Sequence, residues 1–469
     1  MSGRSGRRVW TGLLAGLVVL ALVAGAGLWL RAAHADGRLN SLICDGDCGP
    51  SAVAAPDGLA LDGDDAAAPD VEPATGADPD PAALQSAVDA AVRAPALGPH
   101  VGVRVTDLAT GRVLAEHGDG AFTPASTTKV LTGFAALATL DPDSRLATRT
   151  VLDGDRLVLV GGGDPFLLSA PERPAAYGER ADLRTLARRT ARELASRGVA
   201  RVRLGYDASL FEGPASSPAW AANEYVRAGI VAPVSALWVD RGTGPSGATV
   251  ADPAAAAASV LARELRQAGV DVVGAPAAAT AAGDEVARVT SATVRQLVEV
   301  VLRRSDNEGA EVLLRHVGRA SGQPASFAGG VEGVEQALGD AGVDVSGLVL
   351  GDGSGLARSN RIAPATLTGA LEAASRDPRT SALLAGLPVA GFDGTLADRF
   401  DAGSARDVVG LVRAKTGTLT GVHALAGVVR DPTGRPLAVA VMADRATAAP
   451  ADVQAALDAV VTAVATTGG

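Results

Sequence analysis

The sequence predicts an α+β fold, in which an antiparallel sheet flanked by helices is interrupted by an inserted module. Apolar runs and a Pro/Gly turn near the C-terminus indicate three antiparallel strands in succession, at 411–418, 424–431 and 437–444. A closing helix at 453–464 follows them, and a hairpin at 101–116 precedes them. Because such a sheet must bury at least one face, the pattern predicts helices packed against it.

The segment 147–285 differs in character from the chain on either side of it. Helical stretches alternate there with short strands and Gly/Pro-rich joins, at 181–197, 201–206, 253–268 and 271–273. We interpret 147–285 as an inserted module of one or two α+β units. The main domain is therefore predicted to combine residues 83–146 with residues 286–469.

The N-terminus has the pattern of an export or anchor segment. Residues 1–8 carry three arginines, and the 22 residues from Val9 to Leu30 are uncharged. As a helix, 9–30 would measure about 33 Å, which is enough to cross a bilayer core. The flanking arginines predict a cytoplasmic N-terminus and an extracytoplasmic remainder. Residues 33–35 also resemble a signal-peptidase site, so 9–30 is either a transmembrane anchor or a cleaved signal.

Residues 31–82 are predicted to be a disordered linker. This stretch is rich in Ala, Pro, Gly and Asp, and no basic residue lies between Arg38 and Arg93. Repulsion between its acidic side chains keeps such a segment extended and solvated. A binding tail for a basic partner is the alternative. Cys44 and Cys48, near its start, could close a small disulfide loop outside the cytoplasm.

Composition excludes several classes of function. The 469 residues carry a net charge of −10, which argues against a nucleic-acid partner. Aromatic residues make up only 3% of the chain, so stacking platforms for bases are not expected. The two cysteines and five scattered histidines lack the spacing of metal ligands. We therefore expect no metal and no cofactor.

Ser126 and Lys129 form the first candidate catalytic pair. They stand three residues apart at the start of the apolar run 130–140, so on a helix they share a face. The chain has only two lysines, Lys129 and Lys415, and every other basic residue is arginine. Lysine can lose its proton when desolvated, whereas arginine cannot. A position that requires a neutral amine must therefore keep lysine.

Two further motifs follow in order along the chain. Ser305-Asp306-Asn307 begins 176 positions after Lys129, and Lys415-Thr416-Gly417 contains the second lysine. This trio of motifs in this order is typical of penicillin-binding proteins and class A β-lactamases. Each motif is weak by itself, but together they use both lysines of the chain.

With these motifs the chain resembles the D-alanyl-D-alanine carboxypeptidases/endopeptidases of the low-molecular-mass class C penicillin-binding type, peptidase family S13. The resemblance covers about residues 83–467 and includes four stretches outside the Ser-x-x-Lys and Ser-Asp-Asn motifs: 161–165, 352–356, 391–396 and 415–421. It implies a penicillin-binding transpeptidase/β-lactamase-like domain interrupted by extra domains after the first motif.

The resemblance also implies roles for the site residues. Ser126 would be the nucleophile, Lys129 its base and Ser305 a proton relay; the implied substrate-binding residues are Asn307, Lys415, Thr416, Gly417 and Thr418. Lys129 needs a lowered pKa, and Lys415 is the cation expected to lower it. Thr416 and Thr418, with Lys415 nearby, suit a terminal carboxylate. In the family, backbone N–H groups matching Ser126 and Thr418 form the oxyanion hole.

We therefore expect a serine-type D-Ala-D-Ala carboxypeptidase/endopeptidase that acts on peptidoglycan stem peptides. β-Lactam antibiotics are the expected covalent inhibitors, acylating Ser126. The protein should be extracytoplasmic, either anchored in the cell membrane or secreted if the N-terminal segment is cleaved. Two alternatives stay open at this point: a β-lactamase, and a non-catalytic wall-binding scaffold.

Overall fold

The computed structural model describes residues 79–172, 180–220 and 224–467, and the strands of these residues form two sheets. Numbered along the chain, the strands are β1 (Val101–Asp107), β2 (Val113–His117), β3 (Arg145–Asp153), β4 (Arg156–Val160), β5 (Arg201–Asp207), β6 (Asp271–Val272), β7 (Ala277–Ala278), β8 (Asp284–Thr293), β9 (Val412–Leu419), β10 (Val422–Arg430) and β11 (Pro436–Ala443). The first sheet has the order β2-β1-β11-β10-β9, and all of its pairs are antiparallel.

Helices cover both faces of the first sheet. Those in the described parts of the chain are α1 (Pro81–Ala91), α2 (Thr128–Thr139), α3 (Leu183–Ser196), α4 (Glu224–Arg227), α5 (Pro253–Gln267), α6 (Val294–Arg304), α7 (Asn307–Ala320), α8 (Phe327–Asp340), α9 (Pro364–Arg376), α10 (Ala382–Ala385) and α11 (Pro450–Thr466). Helices α1 and α11 pack on one face, and α9 packs on the other.

The alternation of side chains along β11 explains this two-sided burial. Val439 and Val441 belong to the apolar cluster that includes Leu84 and Leu457, from α1 and α11. Ala440 and Met442 belong to the opposite cluster, which includes residues of α2, α6, α7 and α9. Because successive strand residues point to opposite faces, one apolar strand supports both layers.

The second sheet is formed by the chain between α2 and α6. Its order is β6-β5-β4-β3-β8, with β7 also pairing with β5, and β4–β5 is a parallel pair. Helices α3 and α5 pack against this sheet, and apolar residues of these helices and of the sheet form a third buried cluster. At the end of β8, Thr293 and Gln296 form a capping box that starts α6. The chain therefore returns directly from this sheet to the helix that ends at the second motif.

The hairpin, the three C-terminal strands and the closing helix form within three residues of their predicted bounds, whereas α8 and α9 were not predicted. The run predicted as a helix at 130–140 is α2, which begins two residues earlier, at Thr128. The predicted segment 9–30, the linker up to residue 78 and both cysteines lie outside the described residues. Within the parts of the chain that the structure describes, no helix has the length and apolarity needed to cross a membrane.

Candidate active site

The first motif lies on a short turn that leads into α2. A 3₁₀ turn at Ala125–Thr127 is continued by α2, so Ser126 precedes the helix and Lys129 is in its first turn. Ala125 has a left-handed φ of 49°. Gly355 packs against the Ala125 carbonyl so closely that a Cβ at Gly355 would collide with it. The conformation of the Ser126 turn therefore depends on a glycine more than two hundred residues away.

Lys129 is fully buried and its amine has three acceptors. Nζ donates to Ser126 Oγ at 3.0 Å, to Asn307 Oδ1 at 2.9 Å and to the Ser354 carbonyl at 2.7 Å. Burial lowers the pKa of Lys129 to about 8, against the opposing charges of four nearby carboxylates, on Glu311, Asp352, Asp306 and Glu308. The amine is thus held beside the Ser126 hydroxyl and can lose its proton near neutral pH.

The cause of this shift differs from the one predicted from the sequence. Lys415 was expected to lower the pKa of Lys129 through its charge. Burial is the main cause instead, and no contribution from Lys415 is resolved for Lys129. Lys415 is itself fully buried, and burial followed by the charge of Lys129 holds its own pKa well below the ordinary value.

The second motif lies between α6 and α7. Ser305 ends α6 in a left-handed conformation with φ 54°, and Asp306 caps α7 by accepting from Gly309 N at 2.7 Å. This geometry turns Asn307 toward Lys129. The half-buried Ser305 hydroxyl forms no hydrogen bond with any residue that the structure describes. The fold therefore brings Asn307 into contact with Lys129, while Ser305 makes no such contact among the described residues.

The third motif lies on β9, the edge strand beside the Ser126 turn. A Cβ on Gly417 would lie 2.6 Å from the Pro124 carbonyl and 3.2 Å from Ser126 N, so only glycine permits this approach. Thr416 Oγ1 donates to Thr395 Oγ1 at 2.9 Å, and Lys415 Nζ donates to the Thr416 carbonyl at 2.7 Å. Thr418 is exposed. The strand thus passes so close to the Ser126 turn that there is no room for a side chain at position 417.

Sequence reasoning missed the buried carboxyl groups beneath the site. Glu311, four residues after Asn307 on α7, accepts from Gly353 N at 2.8 Å and from Ser354 N at 2.9 Å. Burial, reinforced by the charge of Asp352, raises the pKa of Glu311 to about 8. Glu311 could have been found from the sequence, because residues four positions apart on a helix lie on the same face. Glu311 holds the loop whose Ser354 carbonyl accepts from Lys129.

The other polar residues of the Gly-rich loops have structural partners. Asp352 caps its own loop, accepting from Gly355 N at 2.9 Å, and also accepts from Trp220 Nε1 at 2.8 Å. Asp393 accepts from Val389 N within its turn. In both cases the carboxylate accepts from backbone N–H groups of the turn in which it lies. Among the residues that the structure describes, no three His, Cys, Asp or Glu side chains are grouped as metal ligands.

Comparison with protein families and relatives gives a consistent result. The model of the family described as D-Ala-D-Ala carboxypeptidase 3 (S13) matches residues 84–249 and 243–464. A carboxypeptidase of Mycobacterium tuberculosis is 37% identical over 387 residues, covering 79% of this chain and 82% of the relative. Carboxypeptidase DacB of Mycolicibacterium smegmatis is 36% identical over 375 residues, covering 77% and 80%. A D-alanyl-D-alanine carboxypeptidase of Actinomadura is 31% identical, covering 75% and 79%.

A solved structure shares the fold. Penicillin-binding protein 4 (dacB) of Haemophilus influenzae superposes with a TM-score of 0.66 at 21% sequence identity, covering 79% of this chain and 98% of that chain. At this identity the likeness concerns the fold alone. The predicted fold class, an α+β transpeptidase-like domain with an inserted module, is therefore confirmed.

Proposed function

The chain belongs to the D-Ala-D-Ala carboxypeptidase 3 (S13) family, and we propose that its serine peptidase reaction is carried out by Ser126, Lys129 and the residues around them. The protein is a serine carboxypeptidase that acts on peptidoglycan peptides. The buried Lys129 amine, 3.0 Å from Ser126 Oγ, is the observation that carries the assignment of roles.

Acylation begins at the Ser126 hydroxyl. Neutral Lys129 takes the proton from Oγ while Oγ forms a bond to the carbonyl carbon of the penultimate D-alanine. The backbone N–H groups of Ser126 and Thr418 are the proposed donors to the resulting oxyanion. The approach of Gly417 to Ser126 N supports this pairing, since it brings the β9 backbone to the nucleophile.

Release of D-alanine requires a proton on the leaving nitrogen. We assign this transfer to the Ser305 hydroxyl, which passes on the proton held by Lys129 as the C–N bond breaks. The position of Ser305, two residues before the Asn307 side chain that accepts from Lys129, supports the assignment. Water then attacks the ester, and its proton returns through Lys129 so that Ser126 is restored.

We assign substrate recognition to Asn307 at the start of α7 and to residues of β9. Asn307 offers amide donors to the peptide backbone, while its Oδ1 already accepts from Lys129. Lys415, Thr416 and Thr418 are the proposed partners of the terminal carboxylate. Gly417 keeps this strand close to the nucleophile. A β-lactam would enter the same site, and a relative in fold, penicillin-binding protein 4 of H. influenzae, has been solved in complex with one.

Mass spectrometry after incubation with a labelled β-lactam tests these roles. We expect one adduct on the peptide that contains Ser126, and none in Ser126→Ala. D-Alanine release from a defined pentapeptide and cleavage of a defined cross-linked dimer separate carboxypeptidase from endopeptidase action. An adduct on another residue, or binding to peptidoglycan without hydrolysis, would contradict the proposal. Rapid steady-state turnover of the β-lactam would instead indicate a β-lactamase.

The family's substrate implies an extracytoplasmic catalytic part. We propose in addition that 9–30 anchors the protein in the membrane and that 147–285 is a module inserted into the domain formed by 83–146 and 286–469. The separate sheet β6-β5-β4-β3-β8 supports an insertion, although its strands β3 and β8 begin before residue 147 and end after residue 285. Membrane fractionation of the full chain and of a variant lacking 1–30 tests the first point, since only the full chain should sediment with membranes.

A further inference from the structure

We propose that Arg241, which lies between the first and second motifs in the chain, is a positioning residue that holds the second motif in place and offsets the charges of Asp306 and Glu308 near Lys129. The inference rests on the proposed role of Lys129 as the base. No sequence motif marks Arg241, since it is one of many arginines. Its contacts in the fold carry the argument.

Arg241 forms ion pairs with two buried carboxylates, one in the second motif and one directly after it. Its Nη2 lies 3.1 Å from Asp306 Oδ2 and 2.6 Å from Glu308 Oε2. The two carboxylate side chains are only 5% and 7% exposed, whereas Arg241 is 48% exposed. Asp306 uses its other oxygen to cap α7 through Gly309 N. Arg241 is therefore the cation that compensates this buried acidic pair.

The backbone at Arg241 is strained. Asp240, Arg241 and Gly242 are three consecutive residues with left-handed φ angles of 51°, 59° and 68°. Residues with a Cβ rarely adopt this conformation and keep it only where their surroundings impose it. Asp240 is held on both sides, because its N–H donates to the Leu167 carbonyl and its Oδ1 accepts from Ser169 N. The strain coincides with the residue that reaches the second motif.

The ion pair is connected to the base through geometry. Asp306 directly precedes Asn307, whose Oδ1 accepts from Lys129 Nζ at 2.9 Å. A loss of Arg241 would loosen the start of α7 and with it the position of Asn307. Since misplacement of a positioning group by about 1 Å can lower a rate about 100-fold, even a small displacement should slow acylation.

The ion pair also affects the pKa of Lys129, because its charges act on the buried amine. The charges that act on the pKa of Lys129 are those of Glu311, Asp352, Asp306 and Glu308, and Lys415 is the other buried cation of the site. The four carboxylates raise the pKa of Lys129 against the larger effect of burial. The Arg241 cation offsets the effect of Asp306 and Glu308. Without it the protonated form of Lys129 should be favoured more strongly.

The test measures the second-order rate constant for acylation by a labelled β-lactam as a function of pH. For Arg241→Gln we expect a loss of about tenfold at neutral pH, together with a shift of the acid limb of the profile to higher pH. Arg241→Lys keeps the charge, so its acid limb should stay at the wild-type pH. The matched control is Arg203→Gln, which breaks an exposed ion pair with Asp155 and should change neither quantity.

Glu308→Gln is expected to shift the acid limb of the pH profile in the direction opposite to Arg241→Gln. Removing this carboxylate should move the acid limb to lower pH, and the comparison remains available if Arg241→Gln does not fold. If Arg241→Gln is acylated more slowly but its acid limb does not move, Arg241 has only a structural role. If neither the rate constant nor the acid limb changes, the inference is wrong. A wild-type protein with no adduct on Ser126 would instead overturn the proposed function.

Discussion

The Lys129 Nζ atom lies 3.0 Å from Ser126 Oγ, and Asn307 Oδ1 and the Ser354 carbonyl are its two other acceptors. Three acceptors orient the amine without adding a full ion pair, because none of them is a carboxylate. Burial can therefore lower the pKa of the lysine while its hydrogen bonds stay satisfied. If this amine is the base, as proposed, acylation should depend on pH, on the side chain at position 129 and on the packing around the Ser126 turn.

The rate of acylation should depend on the protonation of Lys129. Its pKa of about 8 lies below that of an ordinary lysine because the amine is buried. Only the neutral amine can accept the Ser126 proton, so the second-order rate constant should fall about tenfold per pH unit below the pKa and level off above it. Stopped-flow labelling with a fluorescent β-lactam across this range checks the profile. A flat profile from pH 6 to 9, a range chosen to bracket this pKa, would contradict the assignment.

Lys129→Arg should abolish acylation although it keeps the positive charge. Arginine does not lose its proton near neutral pH, and removal of a general base lowers a rate by about 10²- to 10⁴-fold. Labelled β-lactam and mass spectrometry measure the loss. Lys129→Met, of similar length, separates the missing base from overpacking by the larger guanidinium. Retained acylation in either variant would mean that Lys129 is not the base.

Gly417→Ala should impair acylation through a steric effect on the Ser126 turn. The added Cβ would lie 2.6 Å from the Pro124 carbonyl, so β9 or the turn must move. We expect a loss of about 100-fold in acylation, in line with small misplacements in other active sites. The matched control is Gly339→Ala on α8, where a Cβ meets nothing within 4 Å. Equal rates for both variants would refute the close-approach argument.

His316 should make the protein sensitive to acid. Burial lowers its pKa to about 4, and its Nε2 contacts the Gly163 carbonyl at 3.0 Å. Between about pH 6.5 and pH 4 the unfolded chain binds a proton that the folded chain does not, so stability falls with falling pH by up to about 3 kcal/mol. Urea denaturation at several pH values measures this slope.

His316→Gln should lose this part of the slope, because glutamine does not titrate. His117→Gln is the matched control, since His117 lies near the surface with 40% of its side chain exposed. The control should retain the acid sensitivity of the wild-type protein. An identical slope in His316→Gln and wild type would assign the acid sensitivity to other groups.

Local geometry explains which parts of the site could be predicted from the sequence. A helix places residues three apart on one face, so Ser126 and Lys129 could be paired without knowledge of the fold. The alternation of apolar residues likewise predicted the strands β9, β10 and β11. The order of the three motifs then indicated the family, because each motif is a short local sequence that can be recognised without knowledge of the fold.

Contacts between distant segments could not be predicted in this way. Ser354 accepts from Lys129 across 225 positions, and Glu311 supports that loop from another helix. Arg241 reaches the second motif from a strained turn that nothing in the local sequence indicates. The cause of the Lys129 shift was misjudged for the same reason, since burial depends on everything that packs around a side chain.

The sequence by itself determined the residue types that the reaction requires, their local spacing and the secondary structure that carries them. Only the tertiary structure decided that the Ser126 turn, Asn307 on α7, the loop at Ser354 and β9 converge on one buried amine. The physical reason is that hydrogen-bond geometry within a helix or strand is set over a few residues. Desolvation and the field of buried charges are set by packing between segments hundreds of residues apart.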